Sequence, residues 1–409
     1  MKINKKYLFS LLLVIFIDSM GQGLLFPILN TLIMDPAKSI LPLQYSIDIR
    51  EFFYGLLIGS FFLSWFFGAT IVAKASDSIG RKKGLLICLY GALAGYIMTI
   101  LGIYCSNVYI ILIGRIVAGL TAGSQAIAQA AMIDISTDET KAKNIGLVLV
   151  AFGIGMIGGP AIGGFFSDSS IITWFNITTP FYVVLIIIII NIIMMIIYFK
   201  NTREPSGKFK FKISDSILLF VSAFKDINIR KLSIVFFIMQ ISFNGFYIFL
   251  TVFLFDKYNY TMQDNSIFLA IFGIFFALSA GLLVDFFSKN FNKIKIIKIS
   301  LAGQGILQLF FVIFNNSFLP NIFIIIIALL FGVSYILMLS LFSSCVDDSK
   351  QGWIMGITIS LFTLGAGSIS LIGNILLDLN INLLFILTAS GMFISAVLMQ
   401  LFFRKQQVN

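Results

Sequence analysis

Two ionisable side chains stand deep inside long apolar runs: Asp18 within residues 7–33, and Arg115 within residues 108–133. Of the 18 acidic residues only Asp18 is so placed, and of the 28 basic residues only Arg115. A carboxyl group in such surroundings takes up or releases a proton as its environment changes, whereas a guanidinium stays charged. The 409 residues include no His. A proton relay must therefore use carboxyls, and the usual zinc, haem and Ser–His constellations lose a ligand or a base. Cys88, Cys105 and Cys345 are odd in number and scattered through apolar sequence, which fits neither a disulfide framework nor a metal site. No nucleophile–base pair is visible, and there is no Gly-rich phosphate loop with Lys-Ser/Thr. An enzyme, a cofactor and an ATP-driven engine are all disfavoured. The driving force is then an ion gradient, which supplies about 2.3 kcal/mol per charge per 100 mV. Two readings of the pair stay open. Asp18 carries a coupled proton and Arg115 adjusts its proton affinity, or the two form an ion pair that only fixes helix packing.

Polar but uncharged side chains extend the set. Gln22 lies one turn from Asp18 on the same face. The C-terminal half has no charge at depth and offers Gln240, Asn244 and Tyr247, then Gln304 and Gln308 at i, i+4, then Tyr335. With 45 Phe in the chain, these residues describe a large, mostly apolar cavity with a few polar contacts. An amphipathic organic solute suits it better than a sugar phosphate, which would ask for several cations. The bland alternative for each is an interhelical hydrogen bond.

Such residues need elements that cross a bilayer, and the composition supplies them. Hydrophobic residues make up 59%, charged residues 11%, and mean hydropathy is +1.02, against about 25% charged for an ordinary globular chain. A bilayer core takes about 20 apolar residues per helix. On that ruler the spans fall at 7–33, 52–74, 84–105, 108–133, 145–166, 177–199, 231–255, 265–285, 296–314, 319–343, 353–377 and 381–403. These runs are too long for barrel strands. Asp18 is near mid-bilayer, and Arg115 is roughly 12 Å deep at 1.5 Å per residue.

The cations set the direction. With both termini in the cytoplasm, inside segments hold 24 of the 28 Lys and Arg, and outside loops hold only Lys38, Arg50 and Lys257. The basic start could imitate a signal peptide, but its apolar run is too long, contains Asp18 and lacks a small-residue cleavage site. It reads as an uncleaved first helix. The longest polar gap divides the chain into a six-helix bundle over 1–200, a cytoplasmic linker over 201–230 and a second six-helix bundle over 231–409. Within the linker, apolar residues at 213, 217, 221 and 224 allow a short helix on the inner membrane surface, or a solvated connector.

The two halves repeat a motif. After the second span the chain reads Ala73-Lys-Ala-Ser-Asp77-Ser-Ile-Gly80-Arg81-Lys82-Lys83, and after the eighth it reads Gly281-Leu-Leu-Val-Asp285-Phe-Phe-Ser-Lys289. Each is taken as a cytoplasmic loop in which Asp precedes a cation by four residues. A carboxylate there can face a neighbouring helix N-terminus, latching one conformation and releasing another. The fifth span carries Gly146, Gly155, Gly159-Pro160 and Gly163-Gly164. Glycines bring helices close, and the proline interrupts the hydrogen-bond ladder.

With these motifs the chain resembles the major facilitator superfamily, within it the twelve-helix drug/proton antiporters of the tetracycline-resistance type. Asp77, Gly80, Arg81 and Lys82 match the signature between helices 2 and 3, with Ala73 and Ser78 as departures. The glycine spacing of helix 5 is similar to the antiporter signature. Arg115-Ile-Val-Ala-Gly119-Leu-Thr-Ala-Gly123 resembles the helix 4 signature, and Ile17-Asp18-Ser-Met-Gly21-Gln22-Gly23 and Gln351-Gly352 resemble segments of the same group. The resemblance implies a monomer in which helices 1 and 4 line one cavity. It implies proton-coupled export of a small amphipathic molecule by alternating access, as in drug resistance. The same fold would also serve an importer of a nutrient or siderophore. The Ile-, Lys-, Asn- and Phe-rich usage points to an AT-rich bacterial source and so to the inner membrane.

Overall fold

The computed structural model describes residues 5–134, 138–201, 212, 214–347 and 350–404. Much of the expected linker, 202–211 and 213, lies outside the described residues. The described chain is all helical, with no strand. Eleven stretches are long and apolar enough to cross a bilayer, and α6 (Asp138–Phe166) carries a twelfth apolar stretch, Val150–Phe166. The protein is a multi-pass membrane protein. Its outer surface follows from that solvent: on α7 (Thr179–Tyr198), Ile186, Ile189, Ile190, Ile193, Ile196 and Ile197 are all exposed. In water such a belt would drive aggregation, and in lipid it costs nothing.

The helices gather into two units, Met1–Tyr45 with Leu56–Ser216, and Ser46–Gly55 with Ile217–Asn409. In the first unit α1 (Lys5–Met34) packs along α6, and α3 (Arg81–Tyr104) packs along α4 (Val108–Leu120). Lipid tails are as apolar as Leu, so these contacts depend on close packing rather than on burial from water. Small residues supply it. Gly155, Gly159 and Gly163, one turn apart on α6, lie against Phe16, Met20 and Leu24 of α1. A Cβ on Gly95 would meet Ala118 and the Gly114 carbonyl on α4. Pro160 lies inside α6, its ring against Gly23.

In the second unit α9 (Ile227–Tyr258) packs on α14 (Gln351–Leu379) and α15 (Ile381–Phe402), and α12 (Lys293–Ile313) packs on α13 (Leu319–Ser344) and α15. Aromatic rings fill this interior: Phe253 and Phe385 have centroids 4.3 Å apart, and Phe246 meets Phe311 at 5.2 Å. The helix ends carry capping residues. Asp226 accepts from Asn228 N and Ile229 N, Asn292 from Ile294 N and Lys295 N, and Thr261 and Asp264 form a reciprocal capping box.

Four expectations are revised. The second helix, α2 (Ile47–Ile79), begins five residues before the expected 52, so Arg50 and Glu51 are helical and buried, not loop residues. A hydropathy ruler misses them because charges at a helix start lower the local average. The end of Tyr54 shows what this turn does: its hydroxyl donates to the Ile248 carbonyl at 2.7 Å and lies 3.1 Å from Thr251 Oγ1. The fourth span is not one helix: α4 stops at Leu120 and α5 (Ser124–Asp134) begins after Thr121–Gly123. Thr121 turns its hydroxyl back onto Val117 O at 2.9 Å, and Gly119 and Gly123 flank the break. The eighth span consists of α10 (Met262–Leu278), a π-helical turn Ser279–Leu283 and α11 (Val284–Asn290). Ser279 fixes that turn by donating to Leu329 O at 2.7 Å. Both repeated motifs are helical rather than loops through Asp77 and Asp285, and only Gly80, at φ 98°, breaks the first.

The expected short helix is present as α8 (Ser214–Ser222). It is tied to α2 by Lys74 Nζ, 2.8 Å from Asp215 Oδ2. The bond from Lys74, with the Lys212 amide, holds the Asp215 carboxyl below the usual carboxylate range. A lowered value means the tie contributes above about pH 4 and is lost as pH falls through the lowered value. Amides of Ser214–Ser222, corrected for intrinsic exchange, are expected to lose hydrogen-exchange protection only below that pH. Protection that already fades between pH 7 and 5 would contradict this.

Candidate functional site

The first unit contains a cavity of about 50 Å³. Helix α1 presents Asp18 and Gln22 to it, α2 presents Phe61 and Trp65, α3 presents Tyr96, and α4 presents Arg115. The glycine row of α6 brings α1 into place, and the Gly95–Gly114 contact sets α4 against α3. Three expected site residues, Asp18, Gln22 and Arg115, are thus gathered in one place.

The two charges do not pair. The Asp18 carboxylate accepts a hydrogen bond from Ser124 Oγ, at the first residue of α5. The interrupted span therefore places the hydroxyl of the first residue of α5 on the carboxylate. Arg115 donates from Nε to Leu57 O at 3.2 Å, and its Cζ lies 4.2 Å from the centre of the Phe61 ring. Among the described residues, the ion pairs within 4.0 Å are Lys74–Asp215, Arg81–Asp77, Arg81–Asp134 and Lys289–Asp285. The reading of Asp18 and Arg115 as a packing ion pair loses its geometric basis. Ser124 was not singled out from the sequence, because a Ser in a helix is common and nothing local reveals the break. Phe61 and Trp65 were likewise hidden among many aromatic residues.

At the end of α2 the repeated motif forms a compact network. Arg81 Nη1 lies 2.6 Å from Asp77 Oδ1 and donates to Ser76 Oγ at 2.8 Å, and its Nε lies 3.5 Å from Asp134 Oδ2. Lys82 donates from its backbone to Asn201 Oδ1 at 3.0 Å and from Nζ to Ile196 O at 2.6 Å, covering the C-terminal carbonyls of α7. Gly80 is needed both for its φ of 98° and for the close approach of Asn201. The second copy repeats the geometry more weakly: Lys289 Nζ is 2.7 Å from Asp285 Oδ2, with both side chains more than 60% exposed. Gly155 and Gly159 sit on the α1 backbone, with Gly163 in ordinary contact with Leu24, while Gly164 and Pro160 are buried in α6.

The polar residues expected in the second half lie in the second unit. Gln240, Gln304 and Gln308 are fully buried, and Asn244 and Tyr247 nearly so. Gln304 donates to Ser300 O and Ser334 Oγ, both at 3.1 Å, and Asn244 donates to Gln240 O at 2.7 Å. Tyr335 is stacked on Phe236 and Phe331. The side-chain amides of Gln240 and Gln308 have no hydrogen-bond partner among the described residues. Gln351, the first residue of α14, donates to Ser343 O at 2.9 Å and Val346 O at 3.2 Å.

Comparison with known proteins agrees with this architecture. Residues 11–367 match the family model for the Major Facilitator Superfamily. The chain is 24% identical over 357 residues to the tetracycline resistance protein, class E, of Escherichia coli, covering 87% of this chain and 84% of that one. It is 25% identical over 378 residues to the quinolone resistance protein NorA of Staphylococcus aureus, covering 92% and 91%. A D-xylose-proton symporter structure superposes with a TM-score of 0.76 at 13% identity, covering 96% of this chain and 97% of that one. Among the described residues, eleven stretches long and apolar enough to cross a membrane, a shorter twelfth, a duplicated Asp–cation motif and a charged cavity now stand beside a family match across most of the chain: the protein belongs to the major facilitator superfamily and is a transporter of small molecules, not an enzyme.

Proposed function

We propose that this transporter is a proton-coupled exporter of a small amphipathic organic molecule, working by alternating access in a bacterial inner membrane. The observation that carries the proposal is the cavity lined by a half-buried Asp18 and a buried Arg115 that are not paired with each other. Among the described residues Asp18 is held by a single hydroxyl, so it can exchange a proton with little rearrangement. Arg115 keeps the cavity positive, so loss of the proton from Asp18 and entry of solute each change the same local field. The resistance names of the sequence relatives support the outward direction. The Arg81 network, with Asp77, Gly80, Lys82 and the weaker Asp285 copy, serves as the conformational latch.

Gln240, Asn244, Tyr247, Gln304, Gln308 and Tyr335 supply the polar contacts of the second half in this reading, the two unpartnered Gln amides first among them. The bundles divide at 1–200 and 231–409, the termini face the cytoplasm, and the transporter acts as a monomer. The test uses inside-out vesicles acidified by respiration and a panel of tetracyclines, quinolones and cationic dyes. At least one compound is expected to dissipate the pH gradient only in vesicles containing the protein. Gradients that stay intact, together with uptake of a nutrient by whole cells that depends on the protein, would favour import instead.

A further inference from the structure

We infer that Arg115 anchors an acidic oxygen group of the solute, so that the substrate is an amphipathic organic anion or zwitterion bearing a carboxylate or enolate. The inference rests on the cavity being the transport site, as proposed above, but not on proton coupling. A buried guanidinium normally faces a carboxylate, because an uncompensated buried charge is costly. Arg115 is 7% exposed, and no described acidic side chain lies within salt-bridge distance. Asp18, which lines the same cavity, is engaged by Ser124 instead.

What does hold Arg115 leaves its reactive edge unused. Nε is taken by the Leu57 carbonyl at 3.2 Å, and the flat face rests on Phe61 at 4.2 Å. The two terminal nitrogens remain as a rigid fork with its donors side by side, matched to a pair of anionic oxygens. A lone ammonium of Lys would give no such preference for planar oxygen anions. Around the fork the cavity wall is aromatic: Phe61 and Trp65 have centroids 5.7 Å apart, and Tyr96 of α3 lines the same cavity. Together they form a positive, planar-selective end and flat apolar sides. A permanent cation would meet Arg115 as a like charge.

The test compares three fluorescent probes of one shape and different charge: dansylglycine, its methyl ester and dansyl-ethylenediamine. Binding to the purified full chain in detergent is read by energy transfer from Trp65, with Trp65→Phe as the blank. The carboxylate is expected to bind at least about tenfold more tightly than the ester or the amine, the usual worth of a charge-assisted hydrogen bond. Arg115→Gln is expected to bring the carboxylate down to the ester, and Arg115→Lys to keep part of the preference. Equal affinities, a preference for the amine, no binding of any probe, or a preference that survives Arg115→Gln would each overturn the inference. If Arg115→Gln fails to fold by size-exclusion chromatography, the wild-type ranking and Arg115→Lys still decide. Binding needs no gradient, so a chain that ranks the probes as expected but never couples to protons would sink the exporter proposal alone.

Discussion

Replacing Asp18 with Asn is expected to abolish uphill transport while downhill exchange of solute continues. Asn keeps the size of the side chain and can still accept the Ser124 hydroxyl, so the cavity survives, but it cannot hold and release a proton. One pH unit is worth about 1.4 kcal/mol per proton, enough for tenfold accumulation of solute. In proteoliposomes with an imposed gradient of one unit, the wild type is expected to approach that ratio and Asp18→Asn to stop near unity. Counterflow, which needs only exchange, should proceed in both. If Asp18→Asn still accumulates solute tenfold, the coupling proton resides elsewhere. Glu51, buried at the start of α2, then becomes the next carboxyl to test.

The second large effect belongs to the α1–α6 contact. A Cβ at Gly159 would press on the Met20 carbonyl oxygen and the Leu24 amide nitrogen, which are backbone and cannot rotate away. At Gly163 the nearest atoms would be those of Leu24 at 3.6–3.8 Å, an ordinary contact. Gly159→Val is therefore expected to lower stability by about 3 kcal/mol or to force α1 outward, since overpacking costs roughly 1–3 kcal/mol and backbone offers no relief. Gly163→Ala is expected to be close to neutral. Thermal unfolding in detergent, followed by far-UV circular dichroism, separates the two. Any α1 displacement would also move Asp18 from Ser124, so transport should fall in Gly159→Val by more than the loss of folded protein explains. Equal melting of the two variants would remove the glycine row from the account.

The match between sequence and structure is uneven for identifiable reasons. Apolar runs of span length reveal helices because a bilayer leaves the backbone no other way to satisfy its hydrogen bonds. Both Asp–cation pairs were legible because i, i+4 spacing alone places them in contact, and they meet at 2.6 and 2.7 Å. The break at Thr121–Gly123 was not legible. Gly and Thr at those positions are compatible with a continuous helix, and the interruption is tolerated because it borders a cavity rather than lipid. Ser124 gained its role only from that break. Arg50 and Glu51 were missed for the opposite reason: their charges look like a loop until tertiary packing buries them.

By itself the sequence determined that the protein crosses the membrane many times, that its halves repeat, and that Asp18 and Arg115 are the charges to explain. Those conclusions depend on residue type and spacing, which are local. Only the tertiary structure decided that the two charges share a cavity without pairing, that Ser124 holds one and Phe61 supports the other, and that the α6 glycines face α1. Such facts depend on which helix faces meet, and a one-dimensional pattern fixes a helix face without fixing its neighbour.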